Sequence, residues 1–144
     1  FSEWVSRNEK KFSDLLNEGE RICGEWMIQI HSLEYELKTP IIFFDKFHRN
    51  NKRSSVQDFL NTCDKYELTA PRLLATIIMP LNNLITLLST KSDFAKSKDL
   101  PEGIVFKCER NGGLDFMAKW VRSDFEAGSK MDQEIFQYEL GEKV

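Results

Sequence analysis

Glu102-Gly103-Ile104-Val105-Phe106-Lys107-Cys108-Glu109, then Asn111-Gly112-Gly113, then Leu114-Asp115-Phe116-Met117-Ala118-Lys119-Trp120-Val121-Arg122, reads as a β-hairpin. Apolar positions recur along the two runs as half-buried strands require. Asn111-Gly112-Gly113 between them is a strong hairpin signal. A hairpin commits this part of the chain to antiparallel pairing. Upstream, Pro40 opens an apolar strand that runs through Phe47. Glu20 to Ile30 is an extended run in which Arg21, Cys23 and Glu25 share one side and Ile22, Gly24 and Trp26 the other. Leu73 to Met79 reads as a buried strand.

Helical spacing appears three times between these runs. In Ser2 to Asn17, residues Trp4, Val5, Phe12, Leu15 and Leu16 fall near one face, with Gly19 as the stop. Ser55 caps a helix bearing Val56, Phe59, Leu60 and Cys63, with Asp58 at the third position. Pro80 starts another, whose apolar face is Leu81, Leu84, Ile85 and Leu88. Ser89 to Asp99 is a polar linker, and Met131 to Leu140 a short terminal helix. Strands interrupted by helices, with a hairpin among them, predict an α+β domain built on antiparallel sheets with flanking helices. One domain over 1–144 is expected: a helix over 1–19, the candidate site over 20–125, and a tail or helix over 126–144.

A chain of 144 residues with 11 Phe and 3 Trp can bury a real core. Its net charge of −3 argues against indiscriminate binding to nucleic acid but leaves room for a local basic groove. The 3 cysteines, Cys23, Cys63 and Cys108, form no CxxC pair, so neither a zinc site nor a disulfide framework is indicated. A reduced, intracellular and cytoplasmic protein is the expectation. The longest apolar stretch, Leu73 to Leu88, is broken by Pro80, Asn82 and Asn83 and is too short to span a bilayer, so no membrane partner is expected. The chain opens on Phe1 rather than Met and carries no signal peptide, which reads as a fragment cut at its N-terminus.

Four strings carry candidate chemistry: Cys23-Gly24-Glu25-Trp26, Ile41-Ile42-Phe43-Phe44-Asp45, Pro101-Glu102-Gly103-Ile104-Val105-Phe106-Lys107 and Ala118-Lys119-Trp120-Val121-Arg122. Adjacent Phe43 and Phe44 point to opposite faces of a strand, so one can be core while the other stacks on a base. Gly103, following the acid Glu102, lets the backbone approach a ligand closely. If the hairpin is symmetric about Gly113, Lys107 and Lys119 lie opposite each other. Like charges so placed repel unless an anion lies between them.

In this order the four strings resemble the nucleotide-pocket motifs of the covalent nucleotidyltransferases: RNA ligases, ATP-dependent DNA ligases and mRNA capping enzymes. Gly24-Glu25-Trp26, Ile30-His31-Ser32-Leu33-Glu34-Tyr35 and Ala118-Lys119-Trp120-Val121-Arg122 resemble the RNA-ligase branch. The resemblance implies a nucleotidyltransferase fold and an ATP-dependent RNA ligase acting with Mg²⁺ or Mn²⁺. Such an enzyme seals 5′-phosphate and 3′-hydroxyl RNA ends through lysyl-AMP and RNA-adenylate. It further implies that Glu25 binds the ribose and the metal environment, that Phe44 stacks on adenine, and that Glu102 binds the catalytic metal. Lys119 would contact the α-phosphate, with Lys107 and Arg122 as further phosphate contacts. The Lys-x-(Asp/His)-Gly tetrapeptide that carries the family's nucleophile occurs nowhere in the chain. Lysine adenylylation by these 144 residues is therefore not expected. Two alternatives stand beside this: a non-catalytic nucleotide- or RNA-binding module, and a capping guanylyltransferase. His31 and His48 have no partner spacing. The cluster Lys46, His48, Arg49, Lys52 and Arg53 is either a solvated loop or a contact for a nucleic-acid backbone.

Overall fold

The computed structural model describes residues 1–29, 35–87 and 100–125. The expected connection at 30–34, Leu88, the linker at 89–99 and the helix at 131–140 fall outside them. The described elements run α1 (Ser2–Arg7), α2 (Glu9–Leu15), β1 (Arg21–Trp26), β2 (Ile41–Phe47), α3 (Val56–Lys65), α4 (Leu81–Leu87), β3 (Gly103–Arg110) and β4 (Gly113–Val121). β1 pairs with β2 and β3 with β4, giving two antiparallel two-stranded sheets in an α+β arrangement. Among the described residues no helix is long and apolar enough to cross a membrane. The chain divides into two compact units. Phe1–Trp26, Ile41–Pro71 and Lys107–Met117 make up the first; the described residues of 27–40, 72–106 and 118–144 make up the second.

In the first unit, the helix expected over 2–17 is two helices. Asn8 Nδ2 donates to the Trp4 carbonyl at 2.8 Å, and its backbone N–H reaches the Val5 carbonyl at 3.0 Å. A side chain that bonds the preceding turn competes with the next helical hydrogen bond, so α1 ends there and α2 restarts. The helices lay an aromatic chain on the β1–β2 sheet, with ring centroids 5.9 Å apart for Trp4–Trp26, 6.0 Å for Trp4–Phe12 and 6.3 Å for Phe12–Phe43. Ile41, Phe43, Phe59 and Cys63 form the buried core. The Ile and Phe side chains among them each contribute about 1.5–3 kcal/mol from apolar burial. Burial pushes the Cys63 thiol up to about 11, with Asp64 adding to the effect.

α3 begins as its sequence predicts: Ser55 Oγ accepts the Asp58 N–H at 3.1 Å. A second acceptor comes from β3, where Glu109 Oε1 takes the Val56 N–H at 2.6 Å and sets a negative charge on the helix N-terminus. Asn111 and Gly112 turn the hairpin with φ of 53° and 74°, the two positive values of a type I′ turn.

In the second unit, the strand expected over 73–79 does not form. Ile77 and Ile78 are solvent-exposed, Ile78 completely. A short apolar run carries no period of its own, and with no neighbouring strand among the described residues its backbone stays unladdered. Pro80 starts α4 as expected, its carbonyl accepting from Asn83 at 3.0 Å and Leu84 at 3.3 Å.

Candidate functional site

The register of β1 and β2 contains the feature that shapes the first unit's site. Gly24 pairs with Phe43 and Cys23 with Asp45, so Phe44 is an extra residue with no partner across the ladder. This is a β-bulge, a device that re-aims a side chain and shifts the strand's alternation by one. Ile41 and Phe43 face the core before it. After it, Asp45 shares the face of its partner Cys23, hence of Glu25, which pairs with Ile42. Phe43 is 3% exposed and Phe44 41%. Gly24 tolerates the irregularity because it has no Cβ: one built there would meet Ile41 Cγ1 and the Ile42 carbonyl oxygen at 2.9 Å. Glu25 is exposed, and its carboxylate has no hydrogen bond or ion pair among the described residues.

Asp45 is only 4% exposed, so its charge needs partners. Lys107 Nζ donates to Asp45 Oδ1 at 2.7 Å and to the Phe44 carbonyl at 2.6 Å. Arg53 Nε stands 3.4 Å from Asp45 Oδ2. The Arg53 guanidinium also lies over the Phe47 ring, 5.0 Å from its centroid, with Arg21 over the same ring at 4.3 Å.

In the second unit, Lys119 Nζ donates to Glu102 Oε1. Both side chains are partly exposed, so the pair contributes little to stability and can open. Beside it the Arg122 N–H donates to the Glu102 carbonyl at 3.0 Å, holding the open end of the hairpin. Gly103 explains this closeness: a Cβ there would lie 1.9 Å from the Trp120 carbonyl oxygen. What approaches this glycine is the backbone of β4. The Arg122 guanidinium bonds Asp124 Oδ2 at 2.9 Å and sits 5.8 Å from the Phe125 ring centroid, with Nε buried and unbonded. The two-residue turn centres the hairpin between Asn111 and Gly112, not at Gly113. Lys107 and Lys119 are therefore not cross-strand partners, and each lysine is matched to a carboxylate.

The RNA ligase family model matches residues 1–121. The chain belongs to the RNA ligase family. No curated protein and no solved structure matches it significantly. The matched span takes in the first three strings that carry the family resemblance and the fourth as far as Val121, stopping one residue short of Arg122.

One cluster in this member of the RNA ligase family had no signal in the sequence. Glu20 Oε1 is 2.9 Å from His48 Nδ1, and Glu20 Oε2 accepts from the Asn17 backbone N–H at 3.1 Å and from Asn17 Nδ2 at 3.0 Å. Lys46 Nζ adds an ion pair at 3.3 Å, and His48 Nε2 lies 3.3 Å from Ser54 Oγ. The His48 hydrogen bond, then the Asn17 backbone N–H, outweigh burial and hold the Glu20 carboxyl down at about 2. Glu20 and His48 are too far apart in sequence for any spacing rule to join them. Their pairing, with the Phe47–Arg53 bridge and the His48 N–H bond to the Lys52 carbonyl at 2.8 Å, makes the basic segment an ordered loop. Lys46, His48 and Arg53 are committed inside it, while Arg49 and Lys52 remain exposed.

Proposed function

We propose that the chain holds ATP-derived adenylate and a divalent metal for the adenylyl-transfer steps of an RNA ligase that joins 5′-phosphate to 3′-hydroxyl ends. The observation that carries this is the bulge at Phe44 within a chain of the RNA ligase family. It frees one aromatic face for a base while Phe43 keeps the core closed. Phe44 stacks on adenine, and Glu25, exposed on the sheet and without a partner among the described residues, accepts from the ribose hydroxyls. Lys119 and Arg122 neutralise phosphate as charge redistributes toward the leaving group.

Among the described residues no three ligating side chains gather into a metal cluster. Glu102 nevertheless suits Mg²⁺ or Mn²⁺: Mg²⁺ keeps several waters and takes one or two carboxylates together with substrate phosphates. When bound, the metal supplies charge stabilisation at the phosphoryl oxygens. Glu102 is the carboxylate that would hold it, with Lys119, now its ion-pair partner, as the cation that would face the phosphate. No Lys-x-(Asp/His)-Gly stands in these 144 residues, so the chain's own part is to bind and orient, not to attack.

Photo-crosslinking with azido-[α-³²P]ATP, followed by peptide mapping, tests the assignment. Label should concentrate on the β2 peptide that contains Phe44 and be competed by unlabelled AMP. Label on α3 or α4 alone would refute it.

A further inference from the structure

Lys107 ends a motif in which a phosphate contact is the simple expectation, yet its ammonium is already occupied. It donates at 2.6 Å to the carbonyl of Phe44, the bulged residue, and at 2.7 Å to buried Asp45. The Phe59 ring centroid lies 5.6 Å away, so an aromatic face also meets the charge. A carboxylate, a carbonyl dipole and a π-face leave this cation little field for an anionic ligand.

What the contact does hold is the bulge. The residues on either side of Phe44 pair normally across the ladder, so nothing in the ladder itself fixes the extra residue. A one-residue slip would exchange the faces of Phe43 and Phe44. Phe43 would leave the core and Phe44 would enter it. The bond from Lys107 to the Phe44 carbonyl, continued through Asp45 to Arg53, opposes that slip.

We infer that Lys107 is a positioning residue that clamps the β2 bulge and so holds Phe44 outward for the base, and that it does not bind phosphate. The inference rests on Phe44 being the base-stacking residue proposed for this chain. The two are separated by titrating adenosine, which has no phosphate, and AMP against the 144-residue chain by calorimetry. Phe44→Ala should weaken both ligands by about tenfold, the scale of one base–aromatic stack. Lys107→Met should weaken adenosine and AMP by the same factor as each other, and should add nothing in the Phe44→Ala background. A merely structural loss would not show that coupling. If Lys107→Met leaves Asp45 too poorly matched to fold, Lys107→Met with Asp45→Asn removes the buried charge along with the clamp, and the same equal loss is expected. Weakening of AMP with adenosine unchanged would make Lys107 a phosphate ligand and overturn the inference while sparing the role of Phe44. Unchanged adenosine binding in Phe44→Ala would overturn both.

Discussion

Gly103→Ala should be among the most damaging single-methyl additions to this chain. The new carbon would lie 1.9 Å from the Trp120 carbonyl oxygen and 3.0 Å from Val121 Cα, both backbone atoms that no rotamer change can move. An ordinary carbon–oxygen contact is about 3.3 Å, so β3 and β4 must part by more than an ångström here. That separation breaks the 3.0 Å bond from Arg122 N–H to the Glu102 carbonyl and strains its neighbour. At roughly 1 kcal/mol per net hydrogen bond, with strain added, the cost is about 2–3 kcal/mol. For a chain of this size that corresponds to a melting shift of roughly 8–12 °C. Gly112→Ala is the control: nothing lies within 4 Å of its Cβ, and only its φ of +74° opposes the change. It should cost about 1 kcal/mol. Thermal and urea unfolding by circular dichroism measure both. A Gly103→Ala chain melting within about 2 °C of wild type, or less affected than Gly112→Ala, would refute the close-approach account of the Glu102-Gly103 motif.

Lys107→Met should destabilise the fold by about 3–5 kcal/mol, because it leaves buried Asp45 short of a partner, and adding Asp45→Asn should recover most of that loss; urea midpoints decide it. Glu20 is held at about 2 in the fold against 4.5 for a free side chain, so its contribution is complete above pH 4.5 and lost as pH falls toward 2. Glu20→Gln should accordingly flatten the stability profile between pH 5 and pH 2; an unchanged acid limb would contradict this. With its thiol raised to about 11 and the side chain buried, Cys63 should be the last of the 3 cysteines to react with a disulfide reagent at neutral pH. Peptide mapping of a partial reaction reads the order. The chain incubated with [α-³²P]ATP and Mg²⁺ should not acquire the acid-labile covalent label of a lysyl-AMP phosphoramidate, read by denaturing electrophoresis, since it carries no Lys-x-(Asp/His)-Gly.

The parts of this structure that could be read in advance are those fixed by local chemistry. Asn111-Gly112 had one good use, and Ser55 with Asp58 another; both hold. Phe43 and Phe44 could be separated in principle by strand alternation, but the register could not be foreseen. The bulge that moves Asp45 onto the face of Glu25 exists only once β1 and β2 are paired. The same limit explains the failure at Leu73–Met79, where β-branched, apolar residues invited a strand that no neighbour among the described residues completes. Asn8 divided a helix through its own side chain, a competition that periodicity does not count. Among the site residues, Lys107 could be named from its string but not given its partners, because Asp45 and the Phe44 carbonyl reach it only through the fold.

The central claim is that these residues bind adenylate for RNA joining, and the last step of ligation tests it without the nucleophilic lysine. In that step the attacking group is an RNA 3′-hydroxyl, its oxygen bonding to the 5′-phosphorus as AMP leaves. RNA supplied already adenylated at its 5′ end, with a 3′-hydroxyl partner strand and Mg²⁺, therefore bypasses the attack on ATP and probes the binding residues directly. The expected result is metal-dependent sealing with release of AMP, reduced roughly 10²–10³-fold by Glu102→Ala and little changed by Lys52→Ala. No sealing by a folded wild-type chain, or sealing indifferent to Glu102→Ala, would contradict the assignment.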